Sequence, residues 1–393
     1  MPAVFNGADC IVVVAGTPWD GVRCSERHLS AQLSRHRPIL WVDPPVSLAR
    51  ARRGGQRGVP RNRLEQVGER TARLIVTTVP GVTRRGLRDV AAAQCRRAVR
   101  EALAELGARA AAVLVAGTAD LLDCVPGALR IFYGTDDFVA GAGLMGLQTG
   151  WVEQAERRQL AKADIVLAVS EPLRDRWAGM GASPLLLPNG ADVEAMSHVE
   201  FATPAADVHL PAPVAGLVGH VSERIDLDLL VAVAERGVSL LIVGPSPRTS
   251  RLAGLDRLLA MPGVYATGPK PFSELPSYYR HMDVGLTPYT DTAFNRASFP
   301  LKTLEYLAAG LPVVASDLPA NAHLRPGIVR VGRTPAAFAD QVVEAAAEGR
   351  DPVLIRARRE EADAHSWQRR ASQVLALLDA ANPPMIDTTL ERC

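Results

Sequence analysis

Short apolar runs alternate with longer amphipathic ones along nearly the whole chain. Residues 10–15 (CIVVVA) form a continuous, β-branched run, the mark of a strand covered on both faces. A turn-prone stretch follows, Gly16-Thr17-Pro18-Trp19-Asp20-Gly21. The pattern then predicts a helix over 25–35, strands over 38–42 and 73–79, a long helix over 87–106 and a strand over 111–115. Strands over 129–133, 165–169 and 184–187, with a helix over 153–161, complete a first series. The polar stretch after Asn189-Gly190, running through 203–213, reads as a linker. A second series has strands over 214–218, 239–243, 263–267, 284–287 and 328–331, interleaved with helices over 227–236, 275–282 and 335–349. A last helical stretch over 351–381 carries Trp367 as an anchor. Strands alternating with helices predict parallel, doubly wound sheets. Two such series predict two domains facing across a cleft, with ligands outside the C-terminal ends of the strands.

Length agrees with this division, because 393 residues exceed one ordinary core. Apolar residues make up 48% and charged residues 22%, a normal globular mix, and a formal charge of +2 argues against a nucleic-acid partner. The charge is uneven. Arg50, Arg52, Arg53, Arg57, Arg61 and Arg63 crowd one Gly-rich segment, read as a solvated loop or as a surface for anionic lipid or a phosphorylated acceptor. Five scattered cysteines, without paired spacing, give neither a disulfide framework nor a zinc site. No apolar run reaches the roughly 20 residues that span a bilayer. The expectation is a cytoplasmic protein, with any membrane contact peripheral and through 50–63.

The densest chemistry lies at 298–319 (SFPLKTLEYLAAGLPVVASDLP), read as a short helix, a glycine stop at Gly310, and a buried strand. Lys302 and Glu305 stand three residues apart and so share a helix face. The helix start and Lys302 suit a diphosphate, and Glu305, about 4.5 Å further along the axis, suits the two hydroxyls of a ribose. An ordinary solvated ion pair is the alternative. Other strand-end turns add candidates. Gly244 and the run Gly268-Pro269-Lys270 would let a ligand approach the backbone, the latter at a nucleobase edge. His220 and Arg224, after the first strand of the second series, would neutralise a leaving diphosphate. Gly16, Trp19, Asp136 and Asp137 are acceptor-side candidates, with Trp19 as a stacking platform and either acid as a base or helix cap. The GxGxxG match at 141–146 is not preceded directly by a strand and is read as a loop, not a nicotinamide or flavin site.

Together these segments resemble the GT-B glycosyltransferases of the family 4 type, with the nearest look to enzymes of cell-surface polysaccharide or teichuronic acid biosynthesis. The matching pieces are TPWDG, PILWVDPP, YGTDDF, ADIVLAVSEPL, LLLPNGADVE, GLVGHVSERIDLDLL, GPKPFSELPSYYRHMDVGLTPY, the 298–319 motif and HSWQRRA. The resemblance implies an α/β GT-B fold with two Rossmann-like domains. An acceptor domain would span 1–200 and a nucleotide-sugar domain 213–370, with 371–393 crossing back onto the first. It implies a metal-independent enzyme without cofactor, the nucleoside diphosphate sugar being a co-substrate. It places Glu305 on the ribose, Ser298, Phe299, Leu301 and Lys302 at the diphosphate and sugar, and 268–270 at the base. The chain departs from the pattern at Ala297, where such enzymes usually carry a glutamate, and in reading His220 and Arg224 for the phosphate clamp.

The expected function is transfer of a sugar to a hydroxyl acceptor, retaining in outcome, with Lys302 and Arg224 stabilising the leaving group. Were the outcome inverting, Asp137 or Asp136 would be the base. Two rivals share the fold: a sugar-nucleotide epimerase, and a non-catalytic homologue serving as a partner subunit.

Overall fold

The computed structural model describes residues 3–47, 62–80, 86–246 and 252–381. Two sheets face one another. The first contains β1 (Asp9–Val14), β2 (Ile39–Val42), β4 (Arg63–Gly68), β5 (Thr71–Ile75), β7 (Arg109–Val115), β8 (Leu129–Gly134), β9 (Ile165–Ala168) and β10 (Leu185–Leu186). Two short strands, β3 (Val46–Ser47) and β6 (Thr77–Thr78), pair separately. The order β10-β9-β8-β7-β1-β2-β5-β4 reverses direction beside β1, and only β4–β5 is antiparallel. The second sheet contains β11 (Val214–Val218), β12 (Ser239–Val243), β13 (Val264–Gly268), β14 (Val284–Thr287), β15 (Val313–Ser316) and β16 (Arg330–Gly332). It is parallel throughout, in the order β13-β12-β11-β14-β15-β16, and reverses between β11 and β14.

The apolar runs form these strands because helices cover both faces. From Cys10 to Val14 every residue of β1 is buried. Alternate residues feed opposite cores: Val12 and Val14 pack towards Leu87–Leu106, while Ile11 and Val13 pack under Ser25–Leu33. The helix Leu87–Leu106 buries Ala91, Cys95, Ala98, Val99, Ala102, Leu103 and Leu106 at helical spacing, then stops at Gly107, left-handed at φ 64°.

The chain returns to its first half at the end. Ala191 and Ser366 form a lone parallel bridge, and Trp367, Ala371, Val374 and Leu378 of the helix Trp367–Ala381 pack with Leu29 and Leu33. Burying a side chain such as Val374 or Leu378 fully contributes about 1.5–3 kcal/mol.

Two sequence expectations are corrected. The stretch 351–381 is two helices, Pro352–Ala364 and Trp367–Ala381, because the Trp367 N–H turns aside to the Ala191 carbonyl. Arg63 does not end a loop but begins the edge strand β4, whose Glu65 pairs with Arg73 of β5. The remaining arginines of 50–61, and with them the expected membrane contact, lie outside the described residues. Among the described residues, no helix is long and apolar enough to cross a membrane.

Candidate functional site

The helix Leu301–Ala308 is set by its flanks. Pro300 precedes it, and its end is a Schellman turn. The Gly310 N–H donates to the Leu307 carbonyl and the Leu311 N–H to the Tyr306 carbonyl, with Gly310 at φ 81°. Tyr306 fixes the helix over the reversal point of the second sheet. Its hydroxyl accepts from the Val218 N–H at 2.8 Å and reaches the Gly216 carbonyl at 3.1 Å. A Cβ on Gly285 would fall 2.3 Å from the Tyr306 ring, so glycine is what lets the helix settle there.

One turn before the stop, Glu305 is wholly buried. Its Oε2 accepts from Tyr279 Oη at 2.8 Å and from Lys302 Nζ at 2.6 Å. Its Oε1 is buried without a partner. A buried carboxylate oxygen left unpaired carries the full desolvation cost of the group, so Oε1 is an acceptor without a donor. Lys302 is thus paired to Glu305, as their shared helix face allowed, but the pair's carboxylate is buried and not solvated.

Beside this motif a cavity of about 450 Å³ lies between the two halves. Its first wall comes from strand-end loops of the first sheet: Gly16 and Thr17 after β1, Ala116 after β7, and Thr135, Asp136 and Phe138 after β8. Cys24, Ser25 and Glu26 at the start of the first helix complete it, with Leu144 and Met145 from the 141–146 loop. The opposite wall is His220, Ser222, Glu223 and Arg224 after β11, together with Phe294 after β14. Both walls therefore sit at the reversal points of their sheets, where doubly wound folds bind ligands.

The two walls differ in charge. Arg224 donates from Nε to Asn295 Oδ1 at 2.9 Å and stacks over Phe294 at 4.6 Å, which holds its guanidinium in the opening. Opposite, burial pushes the carboxyls of Asp136 and Glu26 above the usual carboxylate range, and each is raised further by a neighbouring acid. Arg224 and the Ser298 hydroxyl, 3.1 Å from Asp136 Oδ1, pull Asp136 back only in part. Burial pushes the Cys24 thiol up to about 12, so it is not a thiolate nucleophile at neutral pH.

Buried hydrogen bonds latch the halves together next to the cavity. Ser25 Oγ donates to Asn189 Oδ1 at 2.6 Å, and Asn189 Nδ2 donates to the Phe299 carbonyl at 2.7 Å. Ser170 Oγ donates to the Ala297 carbonyl. On the other side of the motif helix, His28 stacks on Trp367 at 5.7 Å and meets the edge of Phe272 at 5.2 Å. Arg23 lies 4.6 Å over the same Phe272 ring. Burial holds the His28 imidazole below its usual range, although Asp192 and Glu305 both favour its proton.

Of the residues singled out in the sequence, Gly16, Asp136, His220 and Arg224 line one cavity. Ser298 adjoins it through Asp136, and Phe299 through Asn189 and Ser25; Lys302 and Glu305 do not line it, and Leu301 packs on the core under the first helix. The others stand elsewhere. Asp137 is buried with its Oδ1 taken by the Ala140 N–H and Arg176, a turn-capping ion pair behind the wall. Trp19 packs edge-on to Trp41 at 5.3 Å, with the Arg27 guanidinium covering its face, so it offers no open platform. Lys270 is paired with Asp207 at 2.8 Å, and Pro269 beside it is exposed. Gly244 makes its close approach to another loop, since a Cβ there would fall 1.9 Å from the Gly219 carbonyl; Gly268, at φ 72°, has open space instead. Glu26, His28, Arg23 and Asn189 were missed. Asn189 stands in the LLLPNGADVE segment; Glu26 and His28 look like ordinary members of an amphipathic helix. Among the described residues, no cluster of three His, Cys, Asp or Glu side chains could hold a metal ion.

Comparison with known proteins agrees with this architecture. Residues 213–348 match the family model described as Glycosyl transferases group 1. A Bacillus subtilis (strain 168) protein named as a teichuronic acid biosynthesis glycosyltransferase is 30% identical over 181 residues, 44% of this chain and 45% of that one. The chain thus matches less than half the length of this curated relative. Among solved structures, sucrose-phosphate synthase from Thermosynechococcus elongatus superposes with a TM-score of 0.71 at 18% identity, covering 95% of this chain and 99% of that one. A trehalose-phosphate synthase from Burkholderia xenovorans, in complex with glucose-6-phosphate, gives 0.68 at 12% identity over 94% and 100%. Anabaena HepE, in complex with UDP and glucose, gives 0.65 at 14% over 94% and 99%. The fold is GT-B.

Proposed function

We propose that this protein transfers a sugar from a nucleoside diphosphate sugar to a hydroxyl acceptor. The observation that carries the reading is Glu305: fully buried, oriented by Tyr279 and Lys302, with Oε1 left without a partner. A ribose diol supplies the hydroxyl donors that this oxygen lacks. The match of 213–348 to the glycosyl transferases model supports assigning the donor to the second half. The UDP and glucose bound by Anabaena HepE make a uridine nucleotide the first to try.

In this reading Glu305 shares its charge between Lys302 and the ribose, and Lys302 turns part of its charge to the diphosphate. Arg224 faces the same charge from across the cavity, and His220 adds a donor beside it. The task is to stabilise a departing diphosphate while the anomeric carbon gains oxocarbenium character. Fixed cations in a partly desolvated cleft achieve that without reorganising. The transfer is retaining and uses no metal. The departing phosphate oxygen takes the acceptor's proton, and Asp136 orients the acceptor hydroxyl. Were the product inverted, Asp136 is better placed as base than Asp137, because it lines the cavity and burial lifts its affinity for a proton.

A thermal-shift panel of UDP-, GDP-, ADP- and dTDP-sugars tests the reading, since a ligand bound only by the folded state raises Tm by mass action. One nucleotide series should shift Tm in a saturable way. No response to any member would contradict it.

A further inference from the structure

A second cavity, of about 180 Å³, opens in the first half and shares Gly16 with the interdomain cavity as a common wall. It sits past the ends of β1, β2 and β7, beneath the helices Leu87–Leu106 and Thr149–Lys162. Buried Val14, Ala91, Cys95, Leu121 and Ala155 make its lining largely apolar. An apolar space on the order of 150 Å³ stays dry and accepts a guest the size of benzene. One ring, or one to two isoprene units, is the matching size.

Its polar groups are mainly donors in want of acceptors. Trp151 lines it with a buried indole Nε1 that has no partner. Arg158 lines it too, with Nη2 donating to Gln154 Oε1 at 3.3 Å, Nε buried and unpaired, and no carboxylate within 4 Å among the described residues. Arg88 has only its neighbour Asp89, at 3.6 Å. The acids of the lining are already committed: Asp43 to Arg73 and Trp41, and Asp120 to Lys162. An apolar interior bordered by unsatisfied cationic donors selects a hydrocarbon that carries an anion.

We propose that this cavity receives the hydrocarbon part of a phosphorylated, amphiphilic acceptor, with Arg158, Arg88 and the Trp151 indole on its phosphate. Its sugar-accepting hydroxyl would then reach past Gly16 into the cleft. The identification of the guest as acceptor rests on the transferase reading; the binding of the guest does not.

The test follows the Trp151 indole N–H by NMR, identified with Trp151→Phe, in the full-length protein. Citronellyl phosphate and phenyl phosphate should each be compared with inorganic phosphate and citronellol. A saturable shift with a phosphate ester, and none with inorganic phosphate, is expected. The ester that binds tighter by tenfold or more tells a prenyl chain from an aryl group. Ala92→Phe, which fills the space, should weaken the better ester at least tenfold, with an intact melting transition showing that the variant folds. Arg158→Gln should weaken the ester about tenfold and leave citronellol unchanged. No saturable shift with either ester, an equal shift with inorganic phosphate, or undiminished binding by both variants overturns the proposal. Should an ester bind while no nucleotide sugar shifts Tm, the cavity stands and the transferase reading falls.

Discussion

The two walls of the cleft differ in their charged groups, and the helix behind the second is built differently from both. The second half presents Arg224, held by Phe294 and by Asn295, 71 residues on, while the Lys302–Glu305 pair lies within one short helix off the cavity lining. The first half presents Glu26 and Asp136, brought together from the start of a helix and the end of β8, more than a hundred residues apart in sequence. A group that holds a fixed ligand feature, such as a ribose and its phosphates, can be encoded in a short contiguous motif. A wall that meets the acceptor is assembled from loops, which can change one at a time without disturbing the other.

The difference can be broken most forcefully at Arg224. Removing a preorganised donor facing a developing anion costs about 10²–10³ in kcat. Arg224→Ala should therefore lower kcat by that order with a small change in donor affinity, measured by steady-state release of the nucleoside diphosphate. Unaltered kcat would remove the cationic wall from the mechanism.

Adjacent acids on the other wall sharpen the comparison. Asp136→Asn should reduce turnover by about 10²-fold, the low end of the roughly 10²–10⁴ range of a positioned acid or base. Asp137→Ala should leave turnover within a few fold and instead lower stability by about 1–3 kcal/mol, because the Arg176 and Ala140 contacts are lost. Denaturant melts and kinetics on both variants separate the roles, and identical behaviour would show that the wall does not distinguish them.

The smallest effect is expected at Glu26. Its carboxyl is raised by burial, so the fold favours its protonated form. That contribution is complete below the ordinary carboxylate range and is lost as pH rises through the higher folded value. Glu26→Gln should accordingly raise Tm at pH 7–8 and lose the advantage near pH 4. A stabilisation that does not vary with pH would point to packing instead.

What the sequence revealed follows the same division. Leu87–Leu106 was legible from its periodicity, and the motif helix because a glycine stop and a flanking proline agree within one segment. β4 was not, since an edge strand reading Arg63, Glu65 and Gln66 carries polar residues on both faces and resembles the arginine-rich loop before it. The break at His365–Ser366 was hidden because apolar spacing continues across it, and only the distant Ala191 makes the chain turn. Asp136 and Asp137 are indistinguishable in a string, yet successive side chains leave a strand end in opposite directions. Trp19 illustrates the converse: its loop was read correctly, but Arg27 and Trp41 occupy the faces a sugar would need.

The central claim is that Glu305 Oε1 holds the ribose, and isothermal titration with matched ribo- and 2′-deoxyribonucleoside diphosphates reads it directly. A hydrogen bond to a charged group is worth about 1.5–3 kcal/mol, roughly 10- to 100-fold in Kd. The wild-type protein should prefer the ribonucleotide by about that factor, and Glu305→Gln should reduce the preference to a few fold. Equal affinity for the two sugars in the wild-type protein, or a preference unchanged in Glu305→Gln, would contradict the account.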